Sequence, residues 1–278
     1  MFFHTRRREV PKPFIKWVGG KRQLIKKIKE NMPKSYNSYF EPFIGGGALY
    51  FELKPQKAFI NDYNSELTNL YSVVKHRPEE LIEDLKLHEN TAEYYYALRR
   101  LDREPNYKEL SEHKRASRFI YLNKTGFNGL YRVNRAGENN VPFGRYKNPD
   151  IINQDNILKC SLLLKNTTIT TGDFTLIKKH IKKGDFVYFD PPYVPVSPTS
   201  RFTAYTKAGF TQGDQYRLKE LCDFIDSGGG YFLLSNSYTE FIIELYRDYK
   251  ITTIEANRAI NCKGEGRGKV KEVLIKNY

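Results

Sequence analysis

Apolar and polar positions change their spacing twice along this chain, and the changes divide it into three stretches. After Gly19 and Gly20, an amphipathic helix is expected from about Arg22 to Asn31. Strand-like residues from Tyr39 to Phe43 then run into three glycines and a helical pattern, and a second short strand, Lys57 to Asp62, ends in an acid. From about Asn64 to Thr125 the period turns helical through "ELTNLYSVVKH", "PEELIEDLKLHE", "TAEYYYALRRLD" and "SEHKRASRFIYLN", with no strand signal. Lys124 to Pro149 is rich in Gly, Asn and Arg with interleaved aromatics and reads as loop or hairpin. Strands and helices alternate again afterwards: "TTITTGDF", a helix "TLIKKHI", "DFVYFD", a long loop, a helix around "QGDQYRLKELCDFI", "GYFLLSN", "TEFIIELYRDY", "KITTIEA" and "VKEVLIK". The pattern predicts an α/β protein, a mostly parallel sheet flanked by helices with a helical and hairpin insertion. The closing strand pair predicts an antiparallel strand near the C-terminal end.

Composition narrows the classes. At 278 residues the chain can bury one large core, or a core with a sizeable insertion. No run of about 18 apolar residues is present and the first residues lack a signal-peptide pattern, so a cytoplasmic protein without a membrane partner is expected. The three cysteines, Cys160, Cys222 and Cys262, and the five histidines are scattered without CxxC or HExxH spacing, which predicts no metal site. The 46 Lys and Arg against 32 Asp and Glu give a formal charge of +14, which suits a polyanion or is simply a basic surface. Arg6 to Arg8 and "KGEGRGKVK", Lys263 to Lys271, concentrate that charge; the latter reads equally as a phosphate contact or a solvated turn.

The candidate chemistry sits at strand ends. A glycine turn after a strand, Gly45 to Gly47, lies where an open α/β sheet forms its ligand crevice, and Asp62 ends the next strand, where an acid accepts ribose hydroxyls. Tyr50 breaks the dinucleotide fingerprint, while Ile15 and Arg22 break a P-loop, so a nucleoside cofactor fits better than NAD or ATP. In "VYFDPPYVP" a strand delivers Asp190, and Pro191 and Pro192 then stop the chain from rejoining the sheet. The Asp190 carboxylate and Pro191 carbonyl would make two acceptors beside the flat face of Tyr193, an arrangement that suits a planar base with an exocyclic amine. Taken alone, the same residues make an ordinary turn with a half-buried tyrosine.

Six blocks together resemble the Dam-like family of DNA adenine-N6 methyltransferases, in the family's order: "KWVGGKR", "FEPFIGGGALYF", "IND", "FNGLYRVNRAGENNVPFGRYKNP", "GDF" and "YFDPPYVP". The resemblance implies a Rossmann-like methyltransferase domain from residues 1–63 and 150–278 that binds S-adenosyl-L-methionine, and a target-recognition domain, 64–149, that binds double-stranded DNA. It implies that Trp17 and Lys21 lie at the methionine part of the cofactor, that Phe43, Gly45 and Gly47 line its pocket, that Asp62 binds its ribose, and that Asp173 and Phe174 hold its adenine. Asp190, Pro191, Pro192 and Tyr193 would bind a target adenine flipped out of the duplex. The middle block resembles a GATC reader: Arg132 on guanine with Leu130 beside it, Pro142 on a thymine methyl, Arg145 on a phosphate, Phe127 intercalated and Asn128 near the vacated base. A restriction endonuclease is a candidate functional partner. An inactive DNA binder on the same fold, or an amine methyltransferase for RNA or another base, are the alternatives. "SNS", Ser235 to Ser237, ends a strand in the crevice and could reach the base pocket.

Overall fold

The computed structural model describes residues 10–194, 210–257 and 269–278. In chain order the helices are α1 (Ile25–Glu30), α2 (Ala48–Leu53), α3 (Ser65–His76), α4 (Pro78–Leu85), α5 (Ala92–Arg100), α6 (Glu112–Thr125), α7 (Gln154–Leu164), α8 (Gln212–Ser227) and α9 (Glu240–Leu245). The strands are β1 (Tyr39–Glu41), β2 (Ala58–Asp62), β3 (Thr167–Thr171), β4 (Phe186–Phe189), β5 (Tyr231–Ser237), β6 (Lys250–Asn257) and β7 (Lys269–Lys276). They form one sheet in the order β3-β2-β1-β4-β5-β7-β6. Neighbours are parallel except at β7, which runs antiparallel to both β5 and β6.

Alternation along the strands assigns each side chain to a face. Tyr39, Ile60, Phe186, Tyr188 and Leu233 point into one core with α2, α3, α4 and α7. Phe40, Phe59, Val187, Phe189, Phe232 and Leu234 point into the other with α8 and α9. Both faces being covered, β4 is buried at all four residues, and burying Phe186, Phe189 and Phe232 contributes roughly 1.5–3 kcal/mol each. The middle region divides its apolar residues. Leu67, Leu70 and Tyr71 of α3 and Leu81 and Leu85 of α4 share the first core, whereas Tyr95, Tyr121 and Leu122 form a smaller one that also takes Phe143.

Three local readings change. The segment expected as one helix from Arg22 breaks into a 3-10 turn, Lys21–Gln23, and α1, because Lys21 turns inward. "TLIKKHI" is a 3-10 segment, Phe174–Lys179, whose buried Phe174 and Ile177 sit three apart, the spacing that eclipses on such a helix. Helix α7 arises between Pro149 and "TTITTGDF", where the pattern predicts no element; its buried Ile157, Cys160, Ser161 and Leu164 carry helical spacing, and the Asn153 side chain caps it.

Because the chain leaves β1 outward through β2 and β3 and returns to β4 on β1's other side, the carboxyl ends of β1 and β4 flank a topological switch point, where a crevice opens. Glu41 ends β1 there, 3% exposed, accepting the Tyr39 hydroxyl at 2.6 Å. Burial pushes its carboxyl up to about 8, opposed by the Tyr39 hydroxyl and assisted by the charge of Asp190. An acid that binds its proton more tightly when folded stabilises the fold below its unfolded value of 4.5, and that contribution is lost as pH rises through about 8. The melting temperature of the protein without ligands should therefore fall more steeply from about pH 5 to about pH 8 in the wild type than in Glu41→Gln. Parallel curves would show that Glu41 does not titrate in this window.

Candidate active site

Asp190 follows β4 directly, and its carboxylate meets the Lys21 ammonium at 2.8 Å. Lys21, only 8% exposed, also donates to the Gly19 carbonyl at 3.0 Å and lies 4.5 Å from the centre of the Tyr193 ring. Burial raises the Asp190 carboxyl above its ordinary value, and the charge and hydrogen bond of Lys21 work against that rise. The Tyr193 hydroxyl donates to Glu272 Oε2 at 2.9 Å. Around it the backbone is tied down: Gln215 Nε2 donates to the Pro192 carbonyl at 3.4 Å, the Val194 amide to Asn236 Oδ1 at 3.4 Å, and the Ser237 hydroxyl to the Val194 carbonyl at 2.8 Å. The "SNS" strand end therefore grips the segment after Asp190, while Ser235 pairs with the Tyr188 hydroxyl at 2.9 Å. Pro191 is buried; Pro195 lies outside the described residues.

On the neighbouring strand, Gly45 and Gly47 take φ of +48° and +65°, the left-handed region that glycine enters without strain. Trp17 and Tyr71 press on this turn: a Cβ on Gly45 would sit 2.7 Å from the Trp17 indole, one on Gly46 2.9 Å from the Trp17 Cβ, and one on Gly47 2.7 Å from the Tyr71 hydroxyl. Asp62 accepts the Gly45 amide at 3.1 Å and the Asn64 amide at 3.0 Å, one on each oxygen. Burial dominates and pushes this carboxyl up to about 6 despite those bonds. The Phe43 and Phe174 rings meet at 5.3 Å. Asp173 accepts the Thr175 amide and hydroxyl at 3.0 and 2.6 Å and pairs with Arg217 at 2.8 Å. Burial would raise Asp173, but these donors outweigh it and hold the carboxyl below its usual value.

The hairpin residues stand apart from this crevice. Phe127 is 50% exposed, Asn128 has a φ of +56° and donates its amide to the Tyr146 hydroxyl at 2.9 Å, and Pro142 and Arg145 are exposed. Leu130 is half-buried. Arg132 is exposed and folds onto Asn140, at 2.6 Å to its side chain and 3.1 Å to its carbonyl. The hairpin is clamped from below: Tyr95 and Arg99 donate to the Val141 carbonyl, each at 2.9 Å, Arg103 to the Asn139 carbonyl at 2.9 Å, and the Asn139 amide to Asp102 at 2.8 Å. Burial lowers the Lys124 pKa, opposed by Asp150, and the positive charges of Lys16 and Arg22 lower it further. Cations thus gather beside the hairpin. Arg6 to Arg8, Cys262 and most of Lys263 to Lys271 lie outside the described residues.

Four residues of this geometry escape the sequence reading. Glu41 carried a signal, since "FEP" after β1 repeats the strand, acid and proline of "FDP" after β4. Glu272 carried none. Tyr131 and Phe119 stack with Trp17 at 5.4 and 6.4 Å and with one another at 4.8 Å, joining the hairpin to the glycine turn. Among the described residues no group of His, Cys, Asp and Glu is arranged for a metal ion, and no helix is long and apolar enough to cross a membrane.

The model of the D12 class N6 adenine-specific DNA methyltransferases matches residues 17–260, from Trp17 through the crevice and the hairpin. The chain is 51% identical over 271 residues to the Type II methyltransferase M1.LlaDCHI of Lactococcus lactis subsp. cremoris, covering 96% of this chain and 95% of that one. It is 44% identical to the Type II methyltransferase M.MjaIII of Methanocaldococcus jannaschii over 96% of this chain and 99% of that one. It is 35% identical to the DNA adenine methylase of Escherichia coli K12 over 94% and 93%. With a strand-end acid, its lysine and a flat ring beside a glycine turn, and with the match running nearly end to end, the chain belongs to the D12 class of N6 adenine-specific DNA methyltransferases.

Proposed function

We propose that the methyl donor of this DNA adenine methyltransferase is S-adenosyl-L-methionine and that its target is the adenine of GATC in double-stranded DNA, reached by flipping that nucleotide out of the stack. The observation that carries the reading is the contact of Asp190 and Lys21 under the face of Tyr193. A base outside the duplex could reach this crevice, whereas a paired amine could not.

The residues around the glycine turn fit the donor. The Asp62 carboxylate keeps lone pairs beyond those given to Gly45 and Asn64, and burial makes it a strong acceptor for ribose hydroxyls. Trp17 and Phe43 offer apolar walls, Phe174 a ring for the adenine and Asp173 an acceptor at its edge once Arg217 shares it. Bound there, S-adenosylmethionine supplies an electrophilic methyl on a sulfonium. The chain's own contribution is to hold the nucleophile: Asp190 and the Pro191 carbonyl accept the two N6 hydrogens, which draws the nitrogen lone pair out of the ring. Lys21 keeps the buried Asp190 an acceptor by favouring its charged form. Tyr193 stacks on the base, and preorganisation supplies the rate because nothing must reorient as the bond forms.

Sequence reading is assigned to the hairpin. Arg132 carries the two parallel donors that guanine accepts, and Phe127, exposed at the base of the hairpin, fits the gap left by the flipped base. Leu130 and Pro142 supply apolar contacts, Asn128 a polar one beside the gap, and Arg145 a phosphate contact. The designation of two relatives as Type II methyltransferases supports a restriction endonuclease as functional partner, and a DNA substrate supports a cytoplasmic site of action.

Labelled methyl from S-adenosylmethionine should appear on a duplex carrying one GATC and not on the same bases scrambled; equal label on both would discard the specificity. Asp190→Ala should lower the transfer rate by about 10²–10³-fold, with duplex affinity largely kept. An unchanged rate would remove Asp190 from the mechanism. Arg132→Ala should weaken discrimination at one guanine by about 1–3 kcal/mol, and equal losses on every sequence would make Arg132 a phosphate contact instead.

A further inference from the structure

A ring that receives a planar base gains most when its plane is fixed beforehand, since each torsion left free is entropy lost on binding. The prolines before Tyr193 restrict its backbone and leave both side-chain torsions open. The restraints from Gln215, Asn236 and Ser237 likewise act on backbone atoms of Pro192 and Val194. Among the described residues, two other groups touch the ring itself. Lys21 lies over it at 4.5 Å, but its ammonium is committed to Asp190 at 2.8 Å and follows that carboxylate. Glu272 is left to hold the far end, accepting the phenolic hydrogen at 2.9 Å.

Glu272 reaches the crevice because β7 is reversed. Running antiparallel to β5, it brings its early residues to the carboxyl edge of the parallel strands, with Glu272 opposite Ser237. The two strand ends thus divide the work, with Ser237 on the backbone after Tyr193 and Glu272 on the hydroxyl of its ring. A carboxylate is well suited to this. A charge-assisted O–H···O bond is about twice as strong as a neutral one, and drawing the phenolic proton outward enriches the ring face over which Lys21 sits.

We infer that Glu272 is a positioning residue for methyl transfer, fixing the ring plane of Tyr193 against which the target adenine stacks. This rests on the stacking role given to Tyr193 above. Glu272→Ala and Tyr193→Phe each remove the bond, Glu272→Gln keeps an acceptor, and the double variant Glu272→Ala/Tyr193→Phe tests whether both losses are one. Single-turnover transfer, affinities for S-adenosylmethionine and duplex, and the fluorescence of 2-aminopurine placed at the target adenine are the readouts. Each bond-deleting single variant should slow transfer about 10- to 100-fold while both affinities change by less than about threefold. The 2-aminopurine signal of the complex should shift in both in the same direction. Glu272→Gln should recover most of the rate, and the double variant should be no slower than the slower single.

Wild-type transfer by Tyr193→Phe, or losses that multiply in the double variant, would overturn the inference. Tyr193→Phe removes one hydroxyl and keeps the ring, so it decides the matter even if Glu272→Ala melts early. Full activity in Tyr193→Ala would instead overturn the stacking role itself. An inactive Tyr193→Ala alongside a fully active Glu272→Ala would overturn this inference alone.

Discussion

A carboxylate taken out of water needs a counter-charge, and the crevice is arranged around the one Asp190 finds in Lys21. With Lys21 buried and about a fifth of the Asp190 side chain still exposed, part of the desolvation cost of the pair remains, and it is recovered only where geometry is good and remaining donors are satisfied. Here the ammonium reaches Asp190 at 2.8 Å, gives another hydrogen to the Gly19 carbonyl and faces the Tyr193 ring. Losing the lysine would leave a buried acid uncompensated, and losing the acid would strand the lysine. The segment that carries Lys21 is therefore fixed to the sheet by charge, and everything attached to that segment inherits its position.

What is attached is the hairpin to which sequence reading is assigned above. The Lys16 amide donates to Asn123 Oδ1 at 2.8 Å, and Asn123 Nδ2 donates back to the Lys16 carbonyl and to the Gly129 carbonyl, both at 2.9 Å. One buried amide thus joins the Lys21 segment, α6 and the base of the hairpin. Gly129 cannot be replaced cheaply, since its φ is +64° and a Cβ would run into the Lys16 side chain. The stack of Trp17, Tyr131 and Phe119 runs parallel to this tie, with one edge on the glycine turn and the other beside Arg132. The crevice and the hairpin are thus joined by a few local contacts.

Much of this was legible because the signals are local. A strand that ends in an acid and two prolines, or in three glycines, announces its own geometry, and the continuous apolar runs in β4 and β5 are those of strands covered on both faces. The basic, aromatic hairpin is likewise visible as composition. Helix α7 was lost for a different reason: its turn-rich approach, "NPDIINQ", masks a short helix whose apolar face is completed by Cys160 and Ser161 rather than by leucines. Lys21 was placed near the cofactor by its neighbours in sequence, and its pairing with Asp190 depends on a contact 169 residues along the chain that no spacing rule contains.

Glu272 marks the limit most clearly. Its partner lies 79 residues earlier, and what joins them is the position of β7 between β5 and β6, a property of the sheet rather than of any segment. Had the closing strand been added to the edge beyond β6, the same residues would still alternate and still read as a strand, yet the glutamate would not stand opposite Ser237. The strand pattern predicts that an antiparallel strand exists; only the strand order says which side chains it delivers. Topology therefore acts here as a source of functional groups, supplying the crevice with an acid from the end of the chain just as the βα units supply Glu41, Asp62 and Asp190 from its body.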